Sequence, residues 1–138
     1  MKKFFTLLFL AVICIGCANQ KTSSNLPNES ENLNCKNAKF QLFPTQNMWN
    51  FIKLNTQTGE MWQVQYSIND DKNRVSVTLN KTVLVESSDK MVNGRFTLYP
   101  TQNMYTFLLL DTIDGRMWQV QWSTEDENRG IVDRIIDF

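Results

Sequence analysis

Two acidic clusters and two groups of aromatic and glutamine side chains are the places where this sequence could do chemistry. The clusters are Asp70-Asp71 and Glu125-Asp126-Glu127. Paired carboxylates can serve as the acid and base of glycan hydrolysis when a cleft holds them at a set separation with divergent pKa values. A calcium loop needs alternating Asp and Asn ligands ahead of a glycine, and neither cluster has them. We read both as solvated acidic loops, with Arg74 and Arg129 pairing with nearby acids or stacking on an aromatic ring. The 138 residues include no histidine. That removes Ser-His and Cys-His nucleophile pairs, histidine metal sites and a histidine proton shuttle. No catalytic residue, metal site or cofactor is expected.

The second group consists of Trp49, Phe51, Gln63 and Gln65, with Tyr105, Phe107, Gln119 and Gln121 as counterparts. Aromatic rings beside amides can stack on sugar rings and hydrogen-bond hydroxyls, or accept a peptide or a partner protein. The competing reading is that these side chains are buried between two modules or two subunits.

Those residues belong to a phrase written twice. Phe40 to Ser67 aligns without a gap on Phe96 to Ser123, 56 residues later, with 17 identities in 28 positions. Each copy reads as strand, turn, strand, turn, strand: Phe40 and Leu42 lead into Pro-Thr-Gln-Asn, then "MWNFIKLN", a turn ending in Gly59, and "EMWQVQYS". A type I turn with a bulge at the glycine predicts that Thr56 faces Glu60, so that Leu54, Ile52 and Asn50 face Trp62, Val64 and Tyr66. In the second copy Leu110, Leu108 and Thr106 would then face Trp118, Val120 and Trp122. That face is the expected core, and the aromatic and glutamine face lies opposite. Leu109 in place of Lys53 marks the second copy as the more buried. Strands at 74–80 and 130–136 are expected to complete the copies, with 81–87 as an extra strand or bridge.

The chain begins with Met1-Lys2-Lys3, an apolar run from Phe4 to Ile15, and Gly16-Cys17. A basic start, an apolar stretch of roughly 7 to 15 residues and a small residue before the cut define a secretory signal peptide, which is too short to span a bilayer. Cys14-Ile15-Gly16-Cys17 resembles a bacterial lipobox, which implies that Cys17 is acylated and becomes the first mature residue. The following "ANQKTSSNLPNESENLN" has almost nothing to bury and reads as a disordered tether. It lacks the acidic residues that some lipoproteins carry after the lipid cysteine for surface export. The resemblance therefore implies a cell-envelope protein on the outer membrane, facing the periplasm, with surface display as the alternative. Without Lys2 and Lys3 the mature chain has 12 basic and 14 acidic side chains. No basic stripe is present to neutralise phosphates, so nucleic acid is not an expected partner. Cys35 stands alone in the tether, which leaves no disulfide framework.

The expected organisation is a signal peptide at 1–16, a lipidated cysteine and tether at 17–38, a first β-repeat at 39–87, a linker at 88–94 and a second β-repeat at 95–138. The fold class is all-β: two tandem related antiparallel meanders packed as one small domain. The hairpin is similar to the blade repeat of quinoprotein-type β-propellers, whose Asp, Gly and Trp are spaced much like Asp111, Gly115 and Trp118. Asn55 takes the Asp place in the first copy, and propellers need about four or more blades where this chain supplies two. The unit over residues 40 to 136 also resembles one found in a group of small uncharacterised bacterial proteins, which implies no activity. The expected function is a non-enzymatic binding or structural module with a glycan, peptide or protein ligand. The alternatives are a carboxylate-dependent glycan hydrolase using Asp70, Asp71, Asp126 and Glu127, and an inhibitor of a secreted enzyme.

Overall fold

A computed structural model describes residues 37–136; the signal peptide, Cys17, Cys35 and the tether as far as residue 36 lie outside the described residues. The strands are β1 Phe40–Pro44, β2 Asn50–Asn55, β3 Met61–Gln65, β4 Val75–Asn80, β5 Phe96–Pro100, β6 Thr106–Asp111, β7 Met117–Gln121 and β8 Gly130–Ile135. They form two four-stranded antiparallel sheets, ordered β1-β2-β3-β4 and β5-β6-β7-β8. The only helical pieces among the described residues are the 3-10 turns Asp71–Asn73 and Asp126–Asn128. The fold is thus all-β, two related meanders in tandem. Residues 81–87 form no strand. Asn80 turns its amide back to donate to the carbonyls of Gly59 and Thr82, each at 2.9 Å. Leu84 N–H donates to the Thr58 carbonyl at 2.8 Å. Val85 enters the core, so the segment is a strap across the end of the first sheet.

The hairpin register differs by one residue from the expected one. Lys53 lies opposite Trp62 and Phe51 opposite Val64, while Ile52 faces Gln63 and Leu54 faces Met61. The turn explains the difference. Asn55 N–H donates to the Glu60 carbonyl and the Asn55 carbonyl accepts from Gly59 N–H, both at 2.9 Å. The loop therefore has four residues, Thr56 to Gly59, closed by this i to i+4 bond with an i to i+3 bond from Thr58 N–H to the Asn55 carbonyl at 3.3 Å inside it, where a three-residue bulged turn was expected. The Asn55 side chain holds it by accepting from Gln57 N–H at 3.2 Å, as Asp111 accepts from Ile113 N–H at 3.0 Å. Gly59 and Gly115 supply the positive φ, 78° and 80°, that ends each loop. One extra loop residue exchanges the partner of every side chain across the hairpin.

Each sheet has a front, carrying Phe40, Leu42, Phe51, Lys53, Trp62 and Val64 or their counterparts, and a back, carrying Ile52, Leu54, Met61 and Gln63 or theirs. The two copies bury opposite faces. In the first, the back residues Ile52, Leu54, Met61 and Gln63 are buried; in the second, the front residues Phe96, Leu98, Phe107, Leu109, Trp118 and Val120 are. Identical residues therefore have different environments: Phe40 is 49% exposed and Phe96 0%, Leu42 61% and Leu98 3%. The back of the first sheet packs on the front of the second, and together they form one apolar core. The expected core holds for Trp118, Val120 and Trp122, but Trp62, Val64 and Tyr66 are not buried and Tyr66 is 40% exposed. A duplicated unit stacked front on back uses one apolar face from each copy, so the sequence repeat does not become a burial repeat.

Candidate functional site

The phrase Pro-Thr-Gln-Asn-Met is a turn that presents an aromatic ring. Thr45 Oγ1 accepts from Asn47 N–H at 3.1 Å, and Asn47 Oδ1 accepts from Trp49 N–H at 2.9 Å. Side chains that bond the backbone two residues on form local turns of this kind. The second copy repeats both bonds with Thr101, Asn103 and Tyr105, at 3.1 and 2.9 Å. The Trp49 carbonyl then accepts from Tyr66 N–H and the Tyr105 carbonyl from Trp122 N–H, both at 3.0 Å. Each aromatic is thereby set against a second ring, Trp49 on Tyr66 at 5.4 Å between centroids and Tyr105 on Trp122 at 5.2 Å. These are tilted contacts within the favourable aromatic range.

The two pairs diverge in exposure. Trp122 is buried and donates its Nε1–H to the Met104 carbonyl at 2.8 Å. Trp49 and Tyr66 stay open to solvent, and beside them lies a groove of about 370 Å³ lined by Asn47, Trp49, Asn50, Gln65, Tyr66, Ser67, Ile68, Asn69, Asn73 and, from the second repeat, Thr124. A second groove, of about 330 Å³, runs where the two Pro-Thr-Gln turns meet, with Pro44, Gln46, Pro100 and Gln102 among its walls.

The eight residues read from the sequence as one binding face do not share a face. Phe51 lies on the front and Gln63 on the back, because the register places Phe51 opposite Val64 and Ile52 opposite Gln63. Phe107 and Gln63 are buried, and Gln119 and Gln121 lie on the partly open back of the second sheet. Gln63 is a strut: its amide donates to Asn50 Oδ1 and its Oε1 accepts from Ser123 N–H, each at 3.3 Å. What the groove collects from the expected set is Trp49 and Gln65, and it adds Tyr66, which sequence reasoning had placed in the core.

The acidic clusters lie at the two exposed 3-10 turns. Asp70 caps its 3-10 turn, accepting from Lys72 N–H at 2.9 Å and from Asn73 Nδ2 at 3.0 Å. Asp71 pairs with Arg74 and Asp126 with Arg129, as expected, with both acids almost fully exposed. No group of three or more His, Cys, Asp or Glu that could hold a metal occurs among the described residues.

A charged network that sequence reasoning missed lies at the Gly115 turn. Arg95 and Asp111 are both buried, and Arg95 Nε donates to Asp111 Oδ2 at 2.8 Å. Arg95 also reaches Asp89 at 2.8 Å and Asp114 at 3.3 Å, and Arg116 pairs with Glu86 at 3.0 Å and with Asp114. Burial works against the charge on Arg95, but its hydrogen bonds to Asp89 and Asp111 and their charges outweigh it and raise its pKa above the ordinary guanidinium value. Burial likewise works against the Asp114 carboxylate, yet the backbone N–H and guanidinium of Arg116 outweigh it and hold the carboxyl below its usual value. The network ties the 86–95 segment to the second sheet. The signal for it was in the alignment: Arg95, Asp111, Asp114 and Arg116 stand where the first copy has Lys39, Asn55, Thr58 and Glu60.

Fold and site together define a tandem pair of stacked four-stranded meanders with an open groove beside the Trp49-Tyr66 ring pair. The chain matches no protein-family model, no curated protein and no solved structure.

Proposed function

We propose that this is a lipid-anchored cell-envelope protein whose β-module binds a ligand without catalysing a reaction, and that the ligand lies in the Trp49-Tyr66 groove. The observation that carries the reading is the exposed ring pair, held by the Asn47 turn and bordered by the amides of Asn50, Gln65, Asn69 and Asn73. Flat rings next to amide donors and acceptors suit a sugar, whose axial C–H groups stack and whose hydroxyls both donate and accept. A glycan is therefore the ligand class favoured over a peptide. The carboxylates required by the hydrolase alternative lie on exposed, Arg-paired turns and do not line this groove.

Titrating soluble cell-wall and dietary oligosaccharides against the chain while following tryptophan fluorescence tests the reading. A bound sugar should change the emission, Trp49→Ala should remove the response, and Tyr105→Ala should leave it intact. Equal responses from wild type and Trp49→Ala would refute the groove as the site. For the anchor, Cys17→Ala should move the protein from the membrane fraction to the soluble one, and unchanged fractionation would count against acylation.

A further inference from the structure

The chain uses only half of a repeating contact. Its core joins the back of the first sheet to the front of the second, and the two remaining faces are the front of the first and the back of the second. Each keeps the apolar character of its buried counterpart. On the open front, Phe40, Leu42, Phe51, Trp62 and Val64 match the buried Phe96, Leu98, Phe107, Trp118 and Val120 residue for residue. On the open back, Leu108, Leu110, Met117 and Gln119 match the buried Ile52, Leu54, Met61 and Gln63. A contiguous apolar face of this kind marks an interaction site.

The hydrogen bonds across the core have counterparts waiting at both ends. Within the chain, Gly94 N–H donates to Thr56 Oγ1 and Phe96 N–H to the Thr56 carbonyl, each at 2.9 Å, and Ser123 N–H donates to Gln63 Oε1 at 3.3 Å. The equivalent acceptors on the open back are Thr112 and Gln119, and the equivalent donors beside the open front are Ala38, Phe40 and Ser67. Thr56 Oγ1 also lies within donating distance of the Ala38 and Lys39 carbonyls, at 2.8 and 3.2 Å, and Thr112 Oγ1 of the equivalent Gly94 and Arg95 carbonyls, at 3.3 and 2.9 Å, so the two hydroxyls are held alike.

We propose that the open front of the first sheet receives the open back of the second sheet of another copy of this chain, repeating the internal contact head to tail. The interface is heterologous, so it propagates until the rotation per sheet closes a ring. Two, three or four copies would supply four, six or eight sheets, within the range of closed radial stacks of four-stranded blades. Lys53, which covers the Trp62 ring at 4.4 Å, stands on the open front where the buried counterpart is the apolar Leu109. It weakens the contact relative to the internal one and keeps it reversible. This inference does not rest on the groove, and the assembly would change it: Tyr105 stays 46% exposed beside a covered front, so Trp49 would remain accessible, whereas Tyr66, the counterpart of the buried Trp122, would be covered.

Sedimentation velocity on the full chain carrying Cys17→Ala, in reductant so that Cys35 forms no cross-link, is the test. The parent should show a mass that rises with concentration above one protomer. Leu42→Asp blocks the front and Leu110→Asp the back, and each variant alone should remain monomeric. Mixed, they should form a dimer and nothing larger, because each retains the face the other has lost. That dimer also shows that both variants are folded. Lys53→Leu should shift association to at least tenfold lower concentration. A parent that stays monomeric at all concentrations overturns the proposal, as does association that survives in either blocked variant or a mixture that stays monomeric.

Discussion

Phe40 and Phe96 are the same residue at the same place in the two copies, and their truncation should have very different costs. Phe96 is fully buried against the back of the first sheet, 6.2 Å from the Trp118 ring. Removing a core phenylalanine side chain costs about 3–5 kcal/mol, transfer and cavity together. Phe40 is half exposed and leaves no enclosed cavity, so Phe40→Ala should cost about 1 kcal/mol, half the burial value of the side chain. A stronger second copy could produce the same asymmetry, and a reversed pair excludes that. Met61 is fully buried and its counterpart Met117 is not, so Met61→Ala should cost about 2–5 kcal/mol and Met117→Ala about 1 kcal/mol. The assay is urea unfolding of the four variants at a concentration where the protein is monomeric, with the midpoint read at constant slope. Equal costs within each pair would refute the front-on-back stack, and so would an asymmetry of the same sense in both pairs.

Asp111→Leu should destabilise the chain by about 3–5 kcal/mol, because Arg95 stays buried and loses its most enclosed partner; Arg95→Leu in the same chain should recover much of the loss, read by the same unfolding assay. Asp114 has a folded pKa below its unfolded value near 4, so its contribution is full above about pH 4 and is lost as pH falls through the folded value. Asp114→Asn should therefore lower stability at neutral pH and make the acid side of the stability profile shallower. Both loop glycines sit at positive φ, but a Cβ at Gly59 would meet Leu84 Cδ1 at 2.8 Å, whereas one at Gly115 meets nothing within 4 Å. Gly115→Ala should cost roughly 1 kcal/mol of backbone strain and Gly59→Ala clearly more, since the 81–87 strap must also move.

The strands, their order within each copy and the glycine-closed turns were legible because alternation and turn residues are local signals. The register was not. Thr-Gln-Thr-Gly fits a three-residue bulged turn and a four-residue loop equally well by composition, and only the Asn55 carbonyl bond to Gly59 N–H separates them. That single residue moved Trp62 from Leu54 to Lys53 and broke up the face that had united Phe51 with Gln63. The opposite burial of the two copies could not be read from either copy alone, since "MWQVQ" is identical in β3 and β7 yet buries Met61 and Gln63 in one and Trp118 and Val120 in the other. The clues lay in the differences: Lys53 against Leu109 pointed to a wet front on the first copy. The Asn47 turn was visible as a turn, but its work of setting Trp49 on Tyr66 became visible only with the pairing of β2 and β3.

The two copies bury opposite faces, and hydroxyl-radical footprinting of the dilute chain reads that at every matched position at once. Phe40, Leu42 and Tyr66 should label rapidly while Phe96, Leu98 and Trp122 are protected, and Met117 should oxidise well ahead of Met61. Equal labelling of equivalent residues, or protection of Phe40 and Leu42 at concentrations where the chain is monomeric, would contradict it.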